Sequence, residues 1–196
     1  MDKTMKNLTH LITLLLIIGT VTGCATAVVG GAATGAAVVH DRRTAGTVVD
    51  DQGIELKINN AIGASQRLSG NSHINVTSYN LNVLLSGEVG TPALKVEAER
   101  LAAATQNVNR VMNHLVVGPN SSLGARTKDT WITTKVKSSL FGIKIEGFDP
   151  TRIKVVTEAN TVFLMGLVNR QEGSAAINEA RQVSGVHRVV ALFEYL

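Results

Sequence analysis

An internal duplication restricts the fold of this chain more than any other feature of its sequence. Residues 51–58 align with residues 129–136, and residues 83–89 align with residues 162–168. The first pair is offset by 78 residues and the second by 79, so the two copies differ by one residue in a loop. Similarity at a nearly constant offset is the signature of a repeated structural unit. The sequence therefore predicts two domains of the same fold in tandem.

Each copy contains the same succession of predicted elements. Apolar residues at every fourth position indicate a buried helical stripe, formed by Ile54, Ile58, Ile62, Ile132, Val136 and Leu140. Two strands, a helix and a third strand follow, predicted at 73–79, 81–89, 91–105 and 110–117, and again at 152–158, 161–168, 170–183 and 187–195. The second copy's first helix is predicted at 129–141, with Asp129 and Thr130 at its N-cap. The fold class is α+β, with two α-β-β-α-β domains, each a three-stranded sheet covered on one face by two helices.

The N-terminus has the composition of an export signal. Two lysines precede an apolar run over residues 8–18, which is shorter than the about 20 residues that span a bilayer. The next residues, Val-Thr-Gly-Cys, look like the lipobox at which a bacterial signal peptidase cuts before the cysteine. Cys24 is the only cysteine, so it has no disulfide partner within the chain. We predict a lipoprotein signal peptide at 1–23 and a palmitate-bearing Cys24; an ordinary signal peptide with a free thiol is the alternative.

The residues after the cysteine suggest a destination and a domain layout. Residue 25 is Ala rather than Asp, which by the usual sorting rule for lipoproteins favours the outer membrane, here with the chain on the periplasmic face. Residues 24–45 are predicted to be a Gly/Ala-rich flexible tether; the alternative is that they pack on a membrane or a partner. The domains are predicted at 46–117 and 128–196, joined by a linker at 118–127 that is rich in Gly, Pro and Ser.

The charge and motif content argue against several functional classes. Once residues 1–23 are removed, 17 of the 19 Lys and Arg and 14 of the 15 Asp and Glu remain, a mild and unclustered positive charge, whereas a nucleic-acid binder shows clustered basic residues. The chain has no Gly-x-Ser-x-Gly, no P-loop and no histidine pair at metal-ligand spacing on one predicted element. Glu97 and Glu99 diverge on a helix. We expect no nucleic-acid partner, enzymatic activity, cofactor or metal site.

The outward face of the predicted helix at 129–141 is unusual for a surface that meets only water. At 100° per residue, the side opposite the apolar stripe carries Trp131, Thr134, Lys137, Ser138 and Phe141, with Lys135 on its flank. A membrane interface favours tryptophan at headgroup depth and lysine near anionic lipid. We therefore predict that these six residues contact phospholipid. The alternative is that Trp131 packs against the first domain across the linker.

The first copy lacks these features. Its outward positions are predicted to include Gly53 and Glu55. Residues 46–117 carry five basic and six acidic groups, whereas residues 124–196 carry ten and seven. We predict that the second domain contacts lipid, and that the first has a structural or partner-binding role.

Several motifs together resemble a known family. Gly87 and Gly166 near the end of the second strand, with Val-x-x-Val at the start of the third, resemble BON domains. The lipobox, the Asp-Arg-Arg-Thr-x-Gly segment from Asp41 and the Asp-Thr-Trp-Ile-Thr-Thr-Lys-Val run from Asp129 resemble dual-BON outer-membrane lipoproteins. That family is named for division and outer-membrane stress-associated lipid binding. The two glycines are predicted to mark a bulge or a close backbone approach, with ligand contact as the alternative.

The resemblance implies a non-enzymatic protein that binds anionic phospholipid and supports envelope integrity at the division site. Outer-membrane assembly proteins and cell-wall proteins are its candidate protein partners. A second hypothesis from a different class is a lipid-anchored periplasmic adaptor that uses Trp131 and Phe141 as a protein–protein hot spot.

Overall fold

The computed structural model describes residues 41–70 and 72–196. The predicted signal peptide at 1–23, Cys24 and residues 25–40 of the predicted tether lie outside the described residues. Within the described part, every helix is too short or too polar to cross a bilayer.

The first domain has the predicted order of elements, with its third strand in two pieces. The elements are α1 (Ala45–Ala64), β1 (Ser72–Tyr79), β2 (Asn82–Val89), α2 (Pro92–Ala103), β3 (Arg110–Asn113) and β4 (Val116–Val117). The break between β3 and β4 differs from the single strand predicted at 110–117. The two residues at the break lie opposite Ser86 and Gly87 of β2, and the φ of +113° at Gly87 interrupts the regular pairing there, while the Leu115 side chain stays buried in the core.

The second domain repeats this order with an uninterrupted third strand. Its elements are α3 (Leu123–Leu140), a 3-10 turn (Pro150–Arg152), β5 (Ile153–Glu158), β6 (Thr161–Val168), α4 (Arg170–Gln182) and β7 (Arg188–Tyr195). The N-cap prediction for its first helix was wrong. The helix begins at Leu123, inside the predicted linker at 118–127, where Ser122 Oγ accepts a hydrogen bond from the Ala125 N–H. Asp129 and Thr130 therefore lie within the helix.

The first helix of each domain contains a buried aspartate, Asp51 in α1 and Asp129 in α3, at equivalent positions of the repeat. Each accepts hydrogen bonds from a hairpin turn instead of capping its helix. The Asp129 carboxylate accepts hydrogen bonds from the backbone N–H groups of Ala159 and Asn160, at 3.0 and 2.9 Å. Asp51 does the same for Asn80 and Leu81, both at 2.8 Å. These four turn residues have positive φ, as a tight two-residue hairpin requires. Each aspartate thus holds a β-hairpin turn against a helix.

In both sheets the second strand is central. β2 pairs antiparallel with β1 and parallel with β3 and β4, while β6 pairs antiparallel with β5 and parallel with β7. Two helices cover one face of each sheet. The apolar stripe of α1 packs on alternate residues of β2, and the stripe of α3 packs on alternate residues of β6.

The opposite faces of the two sheets pack against each other. Tyr79, Leu84, Phe163 and Met165 form a third buried cluster between the domains. The two central strands are therefore buried on both faces, so apolar residues follow one another directly at 83–85 in β2 and at 162–165 in β6 instead of alternating with polar ones. Both domains lie in one compact unit with four layers, in the order helices, sheet, sheet, helices.

Candidate functional site

The outer face of α3 carries a row of exposed apolar side chains. Trp131 is 62% exposed and Phe141, the C-cap residue, is 70% exposed. Because the helix begins at Leu123, that residue joins the same face and is 79% exposed. The row follows the whole length of α3, whose 18 residues span about 27 Å. Sequence reasoning missed Leu123, since it was assigned to the linker.

Between these apolar side chains lie hydroxyl residues that are already hydrogen-bonded. Thr134 Oγ1 donates to the Thr130 carbonyl at 3.0 Å, Thr130 Oγ1 donates to the Arg126 carbonyl, and Thr127 Oγ1 donates to the Leu123 carbonyl. A polar group whose hydrogen bond is made within its own helix costs less to remove from water. The three threonines can therefore lose water at low cost; the same face also includes the exposed Ser138.

The lysines lie on both sides of this apolar row, but they are not equivalent. Lys137 is exposed on one side, and Lys128 is exposed on the other. Lys135 lies on the same side as Lys128 and is half-buried, with its ammonium donating to the Ser184 carbonyl. Lys137 is therefore freer than Lys135 to contact an anionic group.

Next to Lys137 and Phe141 the surface forms a cavity of about 420 Å³. Arg43 and Lys154 also line it. Both have carboxylate partners, Arg43 with Asp41 and Asp51, and Lys154 with Glu55. This end of α3 therefore combines an exposed aromatic ring with the charge of Lys137.

The first domain presents a different helix face. Gly53 stands at the position that corresponds to Trp131, so no aromatic ring projects there. Glu55 does not point outward as expected, because its carboxylate accepts hydrogen bonds from the Ser78 N–H and from Lys154 Nζ. The exposed large apolar side chains of α1 are the aliphatic Val49 and Leu56.

The Asp-Arg-Arg-Thr segment binds both domains, although we expected a flexible tether as far as residue 45. Arg42 makes a two-point contact with Glu172, at 2.6 and 2.8 Å, and donates to the Leu167 carbonyl. The bond from Arg42 lowers the pKa of the Glu172 carboxyl, against the opposing effect of burial. Arg43 lies 3.9 Å above the Tyr79 ring. Residues 41–44 are thus part of the folded structure.

One end of the interface between the sheets contains a cluster that the sequence did not reveal. His73 of β1, Glu88 of β2 and Glu158 of β5 bring one nitrogen and two carboxylate oxygens within 4.8 Å of one another. Both glutamates are buried and His73 is half-buried. Burial raises the pKa of the Glu158 carboxyl, while the hydrogen bond from Asn75 and the nearby His73 act in the opposite direction. No spacing within one element could predict this cluster, since its members come from three strands of two domains.

The two repeat glycines lie where backbones approach closely, as predicted. Gly87 has a φ of +113°, and a Cβ there would overlap the carbonyl oxygen of His73. A Cβ on Gly166 would lie 3.1 Å from the Arg152 carbonyl oxygen. Gly87 therefore lets the paired residues His73 and Glu88 approach each other.

Comparison with known proteins extends the repeat to a family. The BON domain family matches residues 50–119 and 128–196. Outer membrane lipoprotein DolP of Haemophilus influenzae is 40% identical over 175 residues, which cover 89% of this chain and 89% of that protein. The 21 kDa hemolysin of Actinobacillus pleuropneumoniae is 35% identical over 156 residues, which cover 80% of this chain and 79% of that protein.

Proposed function

Because this chain belongs to the DolP family of outer-membrane lipoproteins with two BON domains, we propose that it binds anionic phospholipid through the outer face of α3. The observation that carries the proposal is the row of Leu123, Trp131 and Phe141, which are all exposed on one helix face. Exposed apolar patches of this kind mark interaction surfaces. The lysines beside the row give the surface its preference for negative charge.

The physical chemistry of this face suits a lipid surface. An amphipathic helix with an apolar row and flanking lysines lies in the plane of the interface. Tryptophan is favoured at headgroup depth, and each lysine near an anionic surface contributes about 1 kcal/mol. The hydroxyls of Thr127, Thr130 and Thr134 need no partners from the lipid, because each bonds a carbonyl of its own helix.

This contact has a different role from the acyl anchor predicted on Cys24. Two membrane attachments together hold a protein far more firmly than one. The anchor keeps the chain on the membrane, while the helix contact is reversible and sensitive to lipid charge. We propose that it sets the orientation of the folded unit and concentrates the protein where anionic lipid is enriched, including the division site. In this proposal the protein acts by binding lipid and not by catalysis. This binding supports the integrity of the cell envelope.

Flotation with vesicles tests the lipid proposal. Residues 41–196 contain all three apolar clusters and can be used without an acyl anchor. We expect binding to vesicles rich in phosphatidylglycerol and little binding to phosphatidylcholine vesicles. Trp131→Ala should weaken binding to the anionic vesicles with little change in stability, since surface substitutions usually stay within about 0.5 kcal/mol.

Charge variants and a matched control sharpen this test. Lys137→Glu should weaken binding more than Lys135→Glu, because Lys135 is held by the Ser184 carbonyl. The lysine contribution should fade with added salt, whereas the tryptophan contribution should persist. Leu56→Ala removes an equally exposed side chain from α1 and should have no effect. Unchanged binding of the Trp131 and Lys137 variants would refute the proposal and favour the adaptor hypothesis for this face.

A further inference from the structure

We propose that His73, Glu88 and Glu158 form a binding site for a divalent transition-metal ion, with Zn²⁺ as the best fit, between the two BON domains. This site is independent of the lipid-binding face, since its residues lie on β1, β2 and β5, whereas the lipid face lies on α3. The three side chains supply one imidazole nitrogen and two carboxylate oxygens. A set of three nitrogen and oxygen ligands is typical of zinc sites that keep a fourth position open.

The distances suit a small ion. His73 Nδ1 lies 3.2 Å from Glu88 Oε2 and 3.9 Å from Glu158 Oε1. Zinc binds nitrogen and oxygen at about 2.0–2.2 Å, so the ligand atoms of a tetrahedral site lie about 3.3 Å apart. The cluster therefore needs to contract by less than about 1.5 Å at its widest to enclose the ion. This is within the reach of side-chain rotation.

Other residues hydrogen-bond to the two carboxylates and fix their positions. Asn75 Nδ2 donates to Glu158 Oε2 at 2.7 Å, and the Ser121 N–H donates to Glu88 Oε2 at 3.1 Å. Such bonds to ligating carboxylates orient them toward a metal and are a regular part of metal sites. The adjoining cross-strand partner of Asn75 is Ser86, whose buried hydroxyl has no hydrogen-bond partner among the described residues. The interface therefore contains a buried polar group beside the proposed site for which the described residues provide no hydrogen-bond partner.

The repeat supplies an internal comparison. Tyr79 is the counterpart of Glu158 in the repeat. It contacts Arg152 and Leu167 of the other sheet, which are the counterparts of His73 and Glu88. There its hydroxyl donates to the Arg152 carbonyl at 3.1 Å and accepts from the Leu167 N–H at 3.3 Å. A neutral phenol bonded to backbone groups is therefore enough to close that end of the interface.

The metal-site end differs from the Tyr79 end in charge. The counterpart of Arg43, which stacks on Tyr79, is Ser121, which brings no positive charge to the cluster. Two buried carboxylates there face one histidine. Arg126 lines the neighbouring cavity, but its Nε donates to Ser121 Oγ. A bound divalent cation would compensate the excess negative charge at this end.

The surroundings leave room for the fourth ligand. A cavity of about 290 Å³ adjoins His73 and Glu158, and is also lined by Asn75 and Thr157. It is large enough to admit water to an open coordination position. Because the ligands come from both domains, a bound ion would join the two sheets across their interface.

Metal titration of the full chain, purified in detergent and treated with chelator, tests the site. We expect one equivalent of Zn²⁺ to bind in calorimetry, a rise in Tm with zinc concentration, and no comparable effect of Mg²⁺. Glu158→Gln keeps the size of the side chain and its bond from Asn75, so the fold should survive. It should weaken zinc binding at least about 100-fold, and Asn75→Ala should weaken it about 10–100-fold.

Controls distinguish this site from other ligands in the chain. Glu146→Gln removes one exposed carboxylate elsewhere and should leave binding unchanged. His73→Gln provides a second ligand variant if Glu158→Gln unfolds. Undiminished stoichiometric binding in the ligand variants would place the ion elsewhere, for example on His40. The absence of saturable binding by the unsubstituted chain would show that His73 and the two carboxylates contact one another without holding an ion. Either result overturns the proposal.

Discussion

Arg42 shows how a single side chain can join an N-terminal segment to a distant domain. Its guanidinium binds the almost fully buried carboxylate of Glu172 at two points, and the same carboxylate accepts the Asn169 N–H in a capping box at the start of α4. A paired guanidinium and carboxylate of this geometry is among the stronger polar contacts in proteins. The contact therefore stabilises both a helix terminus and the attachment of residues 41–44.

The first prediction concerns the pH dependence of this pair. Because the Arg42 bond lowers the pKa of Glu172 in the folded state, the pair contributes stability above the ordinary glutamate pKa of about 4.3. That contribution is lost as the pH falls through the lowered folded pKa. Glu172→Gln preserves the capping box but removes the charge, and should cost about 1.5–3 kcal/mol at pH 7. Urea unfolding across pH 3–7 should show the variant approaching the original chain at low pH; a constant difference would contradict the assignment.

At the scale of elements, the hairpin turns depend on aspartates from the helices. Asp51 accepts the N–H groups of Asn80 and Leu81, and also the Ser78 hydroxyl at 2.6 Å. The two turn residues have positive φ, which costs energy for residues other than glycine. The hydrogen bonds to the Asp51 carboxylate therefore offset the energetic cost of the positive φ angles in the turn.

The second prediction follows from these bonds. Asp51→Ala leaves two turn N–H groups without their acceptor and should lower the free energy of unfolding by about 3 kcal/mol. The neighbouring Asp50 is exposed, and Asp50→Ala should change stability by no more than about 0.5 kcal/mol. Chemical denaturation of both variants checks this difference, and equal effects would show that the carboxylate is dispensable to the turn.

The elements that the sequence predicted well are those with strong local signals. The positive-φ residues Asn80 and Asn160 mark both hairpins, and the strand limits agree within one residue apart from the break between β3 and β4. The start of α3 was misplaced because Asp129 and Thr130 have the composition of an N-cap, whereas Asp129 serves a hairpin 30 residues away. Helical periodicity placed Trp131 outward correctly, since it depends only on the 3.6-residue repeat.

Features that depend on packing between the domains could not be predicted from local sequence patterns. We expected no metal-ligand set, because no two histidines share suitable spacing on one element. The cluster of His73, Glu88 and Glu158 exists only once the two sheets face each other. The consecutive apolar residues at 83–85 of β2 and at 162–165 of β6 contained a signal for this packing, since strands buried on both faces do not alternate.

For the whole molecule, the interface between the sheets makes the domains interdependent. Phe163 and Met165 of β6 pack against Tyr79 and Leu84 of the other sheet, and all four are buried. A fragment that contained one domain would expose this apolar face to water. Assignment of lipid binding to one domain is therefore better tested by substitutions in the intact chain than by separate fragments.

The third prediction concerns cooperativity. Phe163→Ala should lower stability by about 3–5 kcal/mol, because it leaves a cavity in the cluster between the sheets. Both domains should lose stability together, seen as reduced hydrogen-exchange protection in β2 as well as β6. Phe141→Ala makes the same chemical change at a site that is 70% exposed and should have little effect. Loss of protection in the second domain alone would argue that the domains unfold independently.

The packing of sheet against sheet also bears on the origin of the chain. Tyr79 and Glu158 occupy equivalent positions and each reaches into the other sheet, as an approximate two-fold axis would require. A homodimer of one ancestral unit would have this arrangement, with two identical helical layers on opposite sides. Only one of the two helical layers of such a dimer could contact a flat membrane. The identical lipid-binding residues of the other layer would face away from the membrane and contribute nothing. Fusion of the two copies into one gene removes that constraint, so one layer can specialise for lipid while the opposite layer evolves separately.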